Sequence, residues 1–314
     1  MTASEPDFAH TPVMPAEVVS HLITDGEGAY LDLTAGRGGH LKALAEQLGA
    51  GARLYGIDRD PIAVAETTRI LQPFVQFRKI VQAPFAELDH VAGQFGESAF
   101  NGILLDLGVS SPQIDDARRG FSFQTDGPLD MRFDPNSGVT AAELIEKLDQ
   151  RQLAELIRSY GEEREAARMA RAIVMERQRQ QITTTSHLAA IIRAVTPKPH
   201  QIKTLARVFQ AFRIAVNREL EQLEKVLPVG FRLLSHGGRI AVISYHSLED
   251  RIVKQTFHAW FKPQCTCPPG LPVCMCGVKA IALAVTRKSV SPTEAEISRN
   301  PRARSARLRV VEKL

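Results

Sequence analysis

A glycine-rich segment that follows a predicted strand is the part of this sequence best suited to binding a ligand. It runs from Asp32 to His40 (DLTAGRGGH) and overlaps the end of the apolar stretch Ala29 to Thr34. Glycines let the backbone pass close to a ligand, and a helix N-terminus favours negative groups. Asp58 ends the next predicted strand, 22 residues after Gly36, where a carboxylate can accept hydrogen bonds from ribose hydroxyls. The spacing predicts a site for an adenosine-containing cofactor, and a tight turn without a ligand is the alternative.

A second carboxylate, Asp106, ends the apolar run Phe100 to Leu107. Open α/β sheets bind ligands beyond the carboxyl ends of their strands, so we expect Asp106 to face the glycine-rich segment. There it can hold the amino-acid part of a cofactor or an acceptor amine, although an aspartate in this position is also a common turn former. A nicotinamide dinucleotide site would need glycine at position 41, where the sequence has Leu41. A nicotinamide-dependent oxidoreductase is therefore the weaker alternative.

These residues need a sheet to position them, and alternating strand and helix patterns predict one. The strands are predicted at residues 29–34, 53–57, 75–81, 100–107, 239–244, 280–286 and 306–311. Four β-α repeats in the first third of the chain indicate a doubly wound parallel sheet. The last two stretches predict an antiparallel hairpin that closes the sheet.

An irregular stretch and a helical segment interrupt the strand pattern. Residues 108–138 are too long for an ordinary connection and predict a functional loop. Helical spacing then runs from Thr140, whose hydroxyl forms a predicted capping box with Glu143, and a long amphipathic helix follows Lys203. We therefore predict a discontinuous cofactor-binding domain, residues 1–137 and 213–314, with a helical insertion at 138–212 that recognises the substrate.

Composition and charge indicate what kind of protein this is and what kind of partner it can bind. The 314 residues are 44% hydrophobic and 24% charged, as in an ordinary globular protein, and no apolar run is long enough to span a membrane. The chain start has no signal-peptide pattern, so we expect a cytoplasmic protein. Residues 160–215 carry ten Lys and Arg against four Asp and Glu, and residues 278–314 carry nine against three. These basic segments suit a phosphate backbone, or they are two solvated helix faces.

The four cysteines form one cluster, at Cys265, Cys267, Cys274 and Cys276. Four thiolates suit a tetrahedral structural zinc, and a reducing compartment disfavours disulfides. The spacing is Cys-x-Cys, whereas most zinc knuckles use Cys-x-x-Cys. Free thiols and a redox pair are the alternatives.

Seven motifs along nearly the whole chain resemble the MraW/RsmH methyltransferases. The motifs are DLTAGRGGH (32–40), GIDRDP (56–61), GILLDLGVSSPQ (102–113), RGFSF (119–123), GPLDMR (127–132), SYHSLEDR (244–251) and NPRARS (300–305). The resemblance implies a class I Rossmann-like sheet with an inserted all-helical domain. It also implies that S-adenosyl-L-methionine is the cofactor and that the N4 amine of a cytosine in the decoding region of 16S ribosomal RNA is methylated.

The resemblance also implies which residues form the site. The cofactor contacts would be Gly38, Gly39, His40, Asp58, Phe85, Asp106 and Gln113, with Asp106 as the catalytic residue. The partner would be 16S ribosomal RNA or the small ribosomal subunit, and no membrane is expected. The oligomeric state stays open, a homodimer included. A non-catalytic RNA-binding protein on the same fold is a further alternative.

Three side chains near this predicted site have two interpretations each. Phe121 and Phe123 can stack on an extruded base or anchor their loop to the core. His246, just beyond the predicted fifth strand, can orient substrate or serve as a structural histidine. In addition, Asp130 and Arg132 can pair with each other and so shape the loop, or they can contact RNA.

Overall fold

The computed structural model describes residues 12–262, 267 and 277–314. The chain divides into two compact units: one consists of the residues up to Gly108 together with Gln222–Leu314, and the other is Val109–Glu221. Within the described part of the chain, every helix is too short or too polar to span a bilayer.

The first unit contains a seven-stranded sheet in the order β3-β2-β1-β4-β5-β7-β6. The strands are β1 (Ala29–Asp32), β2 (Arg53–Asp58), β3 (Phe77–Gln82), β4 (Phe100–Asp106), β5 (Leu234–Ser244), β6 (Ala282–Ala284) and β7 (Arg307–Lys313). Neighbouring strands from β3 to β5 are parallel, whereas β7 pairs antiparallel with both β5 and β6. This arrangement confirms the predicted Rossmann-like sheet and its closing antiparallel strands.

Both faces of the central strands are buried, which explains why their sequences are continuously apolar. Successive side chains of a strand point to opposite faces. In β4, Ile103 and Leu105 join one hydrophobic cluster, while Leu104 joins a second one. In β5, Val242 belongs to the first cluster and Ile243 to the second. The same alternation therefore carries a hydrophobic core on each side of the sheet.

Helices of the first unit cover these two faces. They are α1 (Pro15–Leu22), α2 (Gly39–Ala45), α3 (Pro61–Leu71) and α4 (Leu88–Val91), and, later in the chain, α12 (Ser247–Phe261) and α13 (Glu294–Arg299). Val253 and Phe257 of α12 lie in the first cluster, and Leu41 and Leu44 of α2 lie in the second. The strand order reverses between β1 and β4, so the carboxyl ends of these two strands border the crevice where such sheets bind ligands.

The second unit is helical and has a hydrophobic core of its own. Its helices are α5 (Ser111–Asp115), α6 (Ala141–Lys147), α7 (Gln150–Gly161), α8 (Ala166–Arg177), α9 (Thr185–Ala194) and α10 (Gln201–Asn217), and α11 (Glu219–Leu233) follows. The predicted capping box of Thr140 and Glu143 is present at the start of α6. The core includes Ile157 of α7, Ile173 of α8, and Phe212 of α10.

The second unit is wider than the predicted insertion at 138–212. Its core includes Phe121, Leu129 and Met131, all from the irregular stretch that the sequence pattern assigned to the cofactor-binding domain. Because these side chains pack with the helices, the stretch from Val109 onward belongs structurally to the helical unit.

Two predicted element boundaries were wrong. The helix expected after Lys203 is interrupted at Arg218, which adopts a left-handed conformation (φ 53°) between α10 and α11. β5 begins at Leu234 and not at Arg239, because the two glycines at 237 and 238 lie inside the strand, where its register against β4 shifts. A glycine pair of this kind marks a bulge as readily as a turn.

Candidate active site

The glycine-rich segment forms the turn between β1 and α2. Gly36 (φ 54°) and Gly38 (φ 75°) both adopt left-handed conformations that favour glycine. A Cβ on Gly38 would also lie 3.1 Å from the Cγ2 of Thr67. Gly38 is the N-cap of α2, and no side chain caps that helix end. The turn therefore leaves backbone N–H groups of a helix N-terminus available to a ligand.

Asp58 fixes this turn from the end of β2. Its carboxylate accepts a hydrogen bond from the Gly36 N–H (2.7 Å) and another from the Asp60 N–H (2.8 Å). Burial raises the pKa of Asp58 to about 6, although these backbone donors act in the opposite direction. The side chain is nevertheless only half-buried, so the carboxylate can also reach a bound hydroxyl.

At the end of β4, Asp106 is held by two side chains of the same unit. The Tyr245 hydroxyl donates a hydrogen bond to Asp106 Oδ1 (2.8 Å), and His40 Nε2 lies 3.3 Å from Asp106 Oδ2. The Asp106 side chain remains 21% exposed, whereas that of His40 is 5% exposed. Asp106 is therefore contacted by Tyr245 and His40, while part of its carboxylate stays exposed at the crevice.

Thr34 links Asp106 to the buried Asp32. Its hydroxyl accepts the Asp106 N–H (2.6 Å) and lies 3.2 Å from Asp32 Oδ1, to which it can donate. Asp32 Oδ1 also accepts the Thr34 N–H (2.9 Å), but Asp32 Oδ2 has no hydrogen-bond partner among the described residues. An orphaned buried carboxylate oxygen is costly, and it suits a cationic or hydrogen-bonding group of a ligand.

The charges of this cluster shift the pKa values of its members. Burial raises the pKa of Asp32 to about 6, against the opposing charge of His40. Burial alone would lower the pKa of His40, but the contact with Asp106 and the negative charges of Asp32 and Glu296 raise it. Burial and the charge of Asp106 hold the pKa of Tyr245 well above its usual value, so its hydroxyl stays a donor. The cluster thus places the Tyr245 hydroxyl as a donor to Asp106 beside the glycine-rich turn.

Comparisons with known proteins identify the family of this chain. Residues 7–314 match the model of the MraW methylase family. The chain belongs to this family. It is 46% identical over 311 residues to a protein of Geotalea uraniireducens (strain Rf4) named ribosomal RNA small subunit methyltransferase H, covering 98% of this chain and 99% of the relative. Proteins of the same name are 46% identical in Symbiobacterium thermophilum (98% and 97% covered) and in Thiobacillus denitrificans (98% and 97%).

The first unit of this MraW methylase contains six of the seven predicted cofactor residues. The six are Gly38, Gly39, His40, Asp58, Phe85 and Asp106. Phe85 begins a short 3-10 turn just after β3, and the neighbouring Ala83 N–H donates to the Asp58 carbonyl (3.0 Å). Gln113 lies in the second unit, where its Oε1 accepts the Ser110 N–H (3.0 Å) and caps α5. The contacts of these seven residues with a cofactor remain predictions.

Sequence reasoning missed three members of the site: Asp32, Thr34 and Tyr245. Asp32 and Thr34 lie within the glycine-rich motif, but the sequence assigned them no contact of their own. Tyr245 follows β5, the strand next to β4, so it lies at the same edge of the sheet as Asp106. A search for polar residues just after every parallel strand would have found all three.

The two interpretations of the phenylalanines and His246 are now distinguished. The Phe121 ring stacks on Phe133 (centroids 5.6 Å apart), and Phe123 packs edge-on against Phe209 (5.5 Å), so both anchor their stretch to the core of the helical unit. His246 is the N-cap of α12 and forms a capping box with Glu249, which makes it a structural residue. The Asp130–Arg132 ion pair is present, with Nε 2.7 Å from Oδ1.

The predicted zinc cluster lies largely outside the described residues. Of its four cysteines, Cys265, Cys274 and Cys276 are not among them, and Cys267 is half-buried. The zinc site therefore stays a prediction.

Proposed function

We propose that this protein transfers a methyl group from S-adenosyl-L-methionine to the N4 amine of a cytosine in the decoding region of 16S ribosomal RNA. Membership of the MraW methylase family and the shared name of its relatives support a ribosomal RNA acceptor. The observation that carries the proposal is the Asp106 carboxylate, oriented by Tyr245 and His40 at the crevice beside the glycine-rich turn.

The residues present fit the cofactor. Asp58 is placed to accept ribose hydroxyls, and the glycine-rich turn lets the chain approach the adenosine closely. The unpartnered Oδ2 of Asp32 suits the ammonium of the methionine part. When bound, S-adenosyl-L-methionine supplies an electrophilic methyl group on a sulfonium.

Positioning is the main contribution required of the protein. The lone pair of a cytosine N4 is delocalised into the ring, so the amine must be aligned with the methyl group before it reacts. Asp106 accepts a hydrogen bond from this amine and takes its proton late in the reaction, when the nitrogen has gained positive charge. Tyr245 holds the carboxylate through its hydrogen bond to Oδ1, and the buried His40 ring lies 3.3 Å from Oδ2 and limits its rotation.

Mapping of the methyl group tests the proposal directly. The purified protein, 16S RNA or small subunits and labelled cofactor should yield N4-methylcytosine in a nuclease digest analysed by mass spectrometry. Asp106→Ala should lower kcat by about a hundredfold or more, since a displacement of about 1 Å can cost that much. A methyl group on a ring carbon or a ribose oxygen would contradict the reaction class. Wild-type turnover of Asp106→Ala would exclude Asp106 from the mechanism.

The second unit is proposed to recognise the acceptor RNA. It is mainly helical, has its own core, and contains the whole basic segment of residues 160–215. None of its residues apart from Gln113 is among the predicted cofactor contacts. A separate recognition unit would let the cofactor-binding sheet stay rigid while the helices adapt to an RNA surface.

One structural zinc per chain is proposed at Cys265, Cys267, Cys274 and Cys276, because four clustered thiols suit a tetrahedral ion. Elemental analysis of protein purified without a metal-affinity tag should find about one zinc per chain. A Cys265→Ser and Cys276→Ser double variant should lose that zinc. A zinc content near zero in the wild-type protein would leave free thiols or a redox pair as the explanation.

A further inference from the structure

Helix α8 carries a row of arginines along one exposed face. Arg164 precedes the helix, Arg168 and Arg171 lie within it, and Arg179 follows its last turn; we call these four residues the arginine stripe. Arg168, Arg171 and the half-exposed Met175 share one side of α8, and Arg164 and Arg179 lie just beyond its two ends. All four arginines are exposed.

The four guanidinium groups of the stripe form no ion pair and no hydrogen bond within the described residues. Other arginines of the same unit do have partners: Arg158 pairs with Glu155, and Arg207 with Glu163. The one acidic residue within α8, Glu176, contacts His187, and the exposed Glu165 lies at the N-cap beside Arg164. Like charges three or four residues apart destabilise a helix, so this pattern is unfavourable for the isolated protein.

Arg177 shows what a structural arginine of the same helix does. It donates to the carbonyls of Ile145 and Leu148, and so satisfies the C-terminal end of α6. The stripe arginines have no such role. The opposite face of α8 is buried through Ala166, Met169, Ala170 and Ile173, which fixes the direction in which the stripe points from the unit.

We propose that the arginine stripe binds the phosphate backbone of the acceptor RNA, an inference that rests on the proposed function. Guanidinium groups bind phosphates through two parallel hydrogen bonds, and a rigid row can follow successive phosphates of one strand. Met175 adds an apolar contact between the charged groups for a sugar or base edge. The stripe thus orients the RNA and reads no sequence, whereas the choice of cytosine belongs to the site in the first unit.

The test compares a double variant, Arg168→Gln and Arg171→Gln together, with the full-length wild-type protein. Glutamine keeps a comparable helix propensity, so the fold should be preserved. The affinity for 16S RNA should fall about tenfold or more at 0.1 M salt, and the slope of log K against log salt should decrease by about 1.4 to 1.8, the value for two phosphate contacts. The cofactor Kd and kcat at saturating RNA should be unchanged.

A matched control removes two arginines of the same unit that already have partners. Arg158→Gln with Arg218→Gln changes the net charge equally, but these residues pair with Glu155 and Glu221. This control should keep the wild-type salt slope. Arg168→Lys with Arg171→Lys should restore most of the slope, because the charges return while the two-pronged geometry does not.

Failure of this inference can be distinguished from failure of the proposed function. If the wild-type protein methylates RNA but the Gln double variant keeps wild-type affinity and salt slope, the stripe is a solvated helix face and this inference is wrong. If the wild-type protein neither binds nor methylates RNA, the proposed function fails and the stripe loses its partner with it. An equal loss of affinity in the Gln variant and in the control would also overturn the inference, since net charge alone would then account for it.

Discussion

At the scale of single residues, Asp58 has two tasks that compete for the same carboxylate. It holds the Gly36 N–H, which shapes the glycine-rich turn, and in the proposed complex it accepts ribose hydroxyls. Burial raises its pKa to about 6, so the unliganded carboxyl group takes up a proton in mildly acidic solution. A protonated carboxyl is a weaker acceptor for both partners.

Cofactor affinity should therefore decrease as the pH falls through about 6, by up to tenfold per pH unit below that value, because binding must then release one proton. Above about pH 7 the affinity should be flat. Calorimetric titration of the wild-type protein from about one pH unit below this pKa of about 6 to about two units above it measures this dependence. The Asp58→Asn variant should bind the cofactor more weakly at pH 7 and lose much of the pH dependence of this affinity. Some dependence should remain, because Asp32 still titrates. A pH-independent wild-type affinity would contradict the assignment.

In the proposed mechanism Tyr245 acts through Asp106. Tyr245→Phe removes the 2.8 Å hydrogen bond to Oδ1 and leaves the ring in place, so kcat should fall about tenfold while the KM for RNA stays constant. Steady-state kinetics with separate kcat and KM values check this. Tyr55→Phe is the matched control, because Tyr55 donates to Glu97 (2.7 Å) in the same unit but outside the site. If both variants lose only thermal stability, Tyr245 is a structural residue.

At the scale of elements, the break between α10 and α11 is tied to the stretch that precedes α6. The buried Asn217 donates to the carbonyls of Met131 (2.7 Å) and Arg213 (2.9 Å), and its Oδ1 accepts the Phe133 N–H (2.9 Å). One side chain thus ends a helix and holds the irregular stretch against it. Apolar anchors, Phe121 among them, pack the same stretch into the core.

Asn217→Ala should lower the free energy of unfolding by about 2 to 3 kcal/mol, because it leaves buried backbone groups without partners. Denaturant unfolding followed by circular dichroism gives the value. Asn136→Ala, at an exposed position of the same stretch, should change stability by less than about 0.5 kcal/mol. Equal effects at the two positions would contradict the anchoring role.

At the scale of the whole molecule, the first unit carries its own two-sided core and six of the predicted cofactor residues. A chain in which a short Gly/Ser linker replaces residues 109–221 should bind S-adenosyl-L-methionine, weakened by no more than about tenfold through the loss of Gln113. It should not methylate RNA. Calorimetry and a tritium-transfer assay test the two parts separately. Full RNA methylation by this chain would exclude the second unit from acceptor recognition.

Much of this protein follows from its sequence alone. The strands were predictable because parallel strands buried on both faces must be continuously apolar, as in β4. The glycine-rich turn and Asp58 were predictable because a sharp turn after a strand and a carboxylate at the next strand end are local features. The capping box at Thr140 is local as well, since its partner Glu143 is three residues away.

Other features required the tertiary structure, because they join residues far apart in the chain. Tyr245 meets Asp106 across 139 positions, and only the pairing of β4 with β5 brings them together. The left-handed break at Arg218 accompanies the contacts of Asn217 with Met131 and Phe133, which no local pattern reveals. Likewise, packing decides that Phe121 anchors a loop and that the irregular stretch belongs to the helical unit, since burial depends on which partners the folded chain places around a side chain.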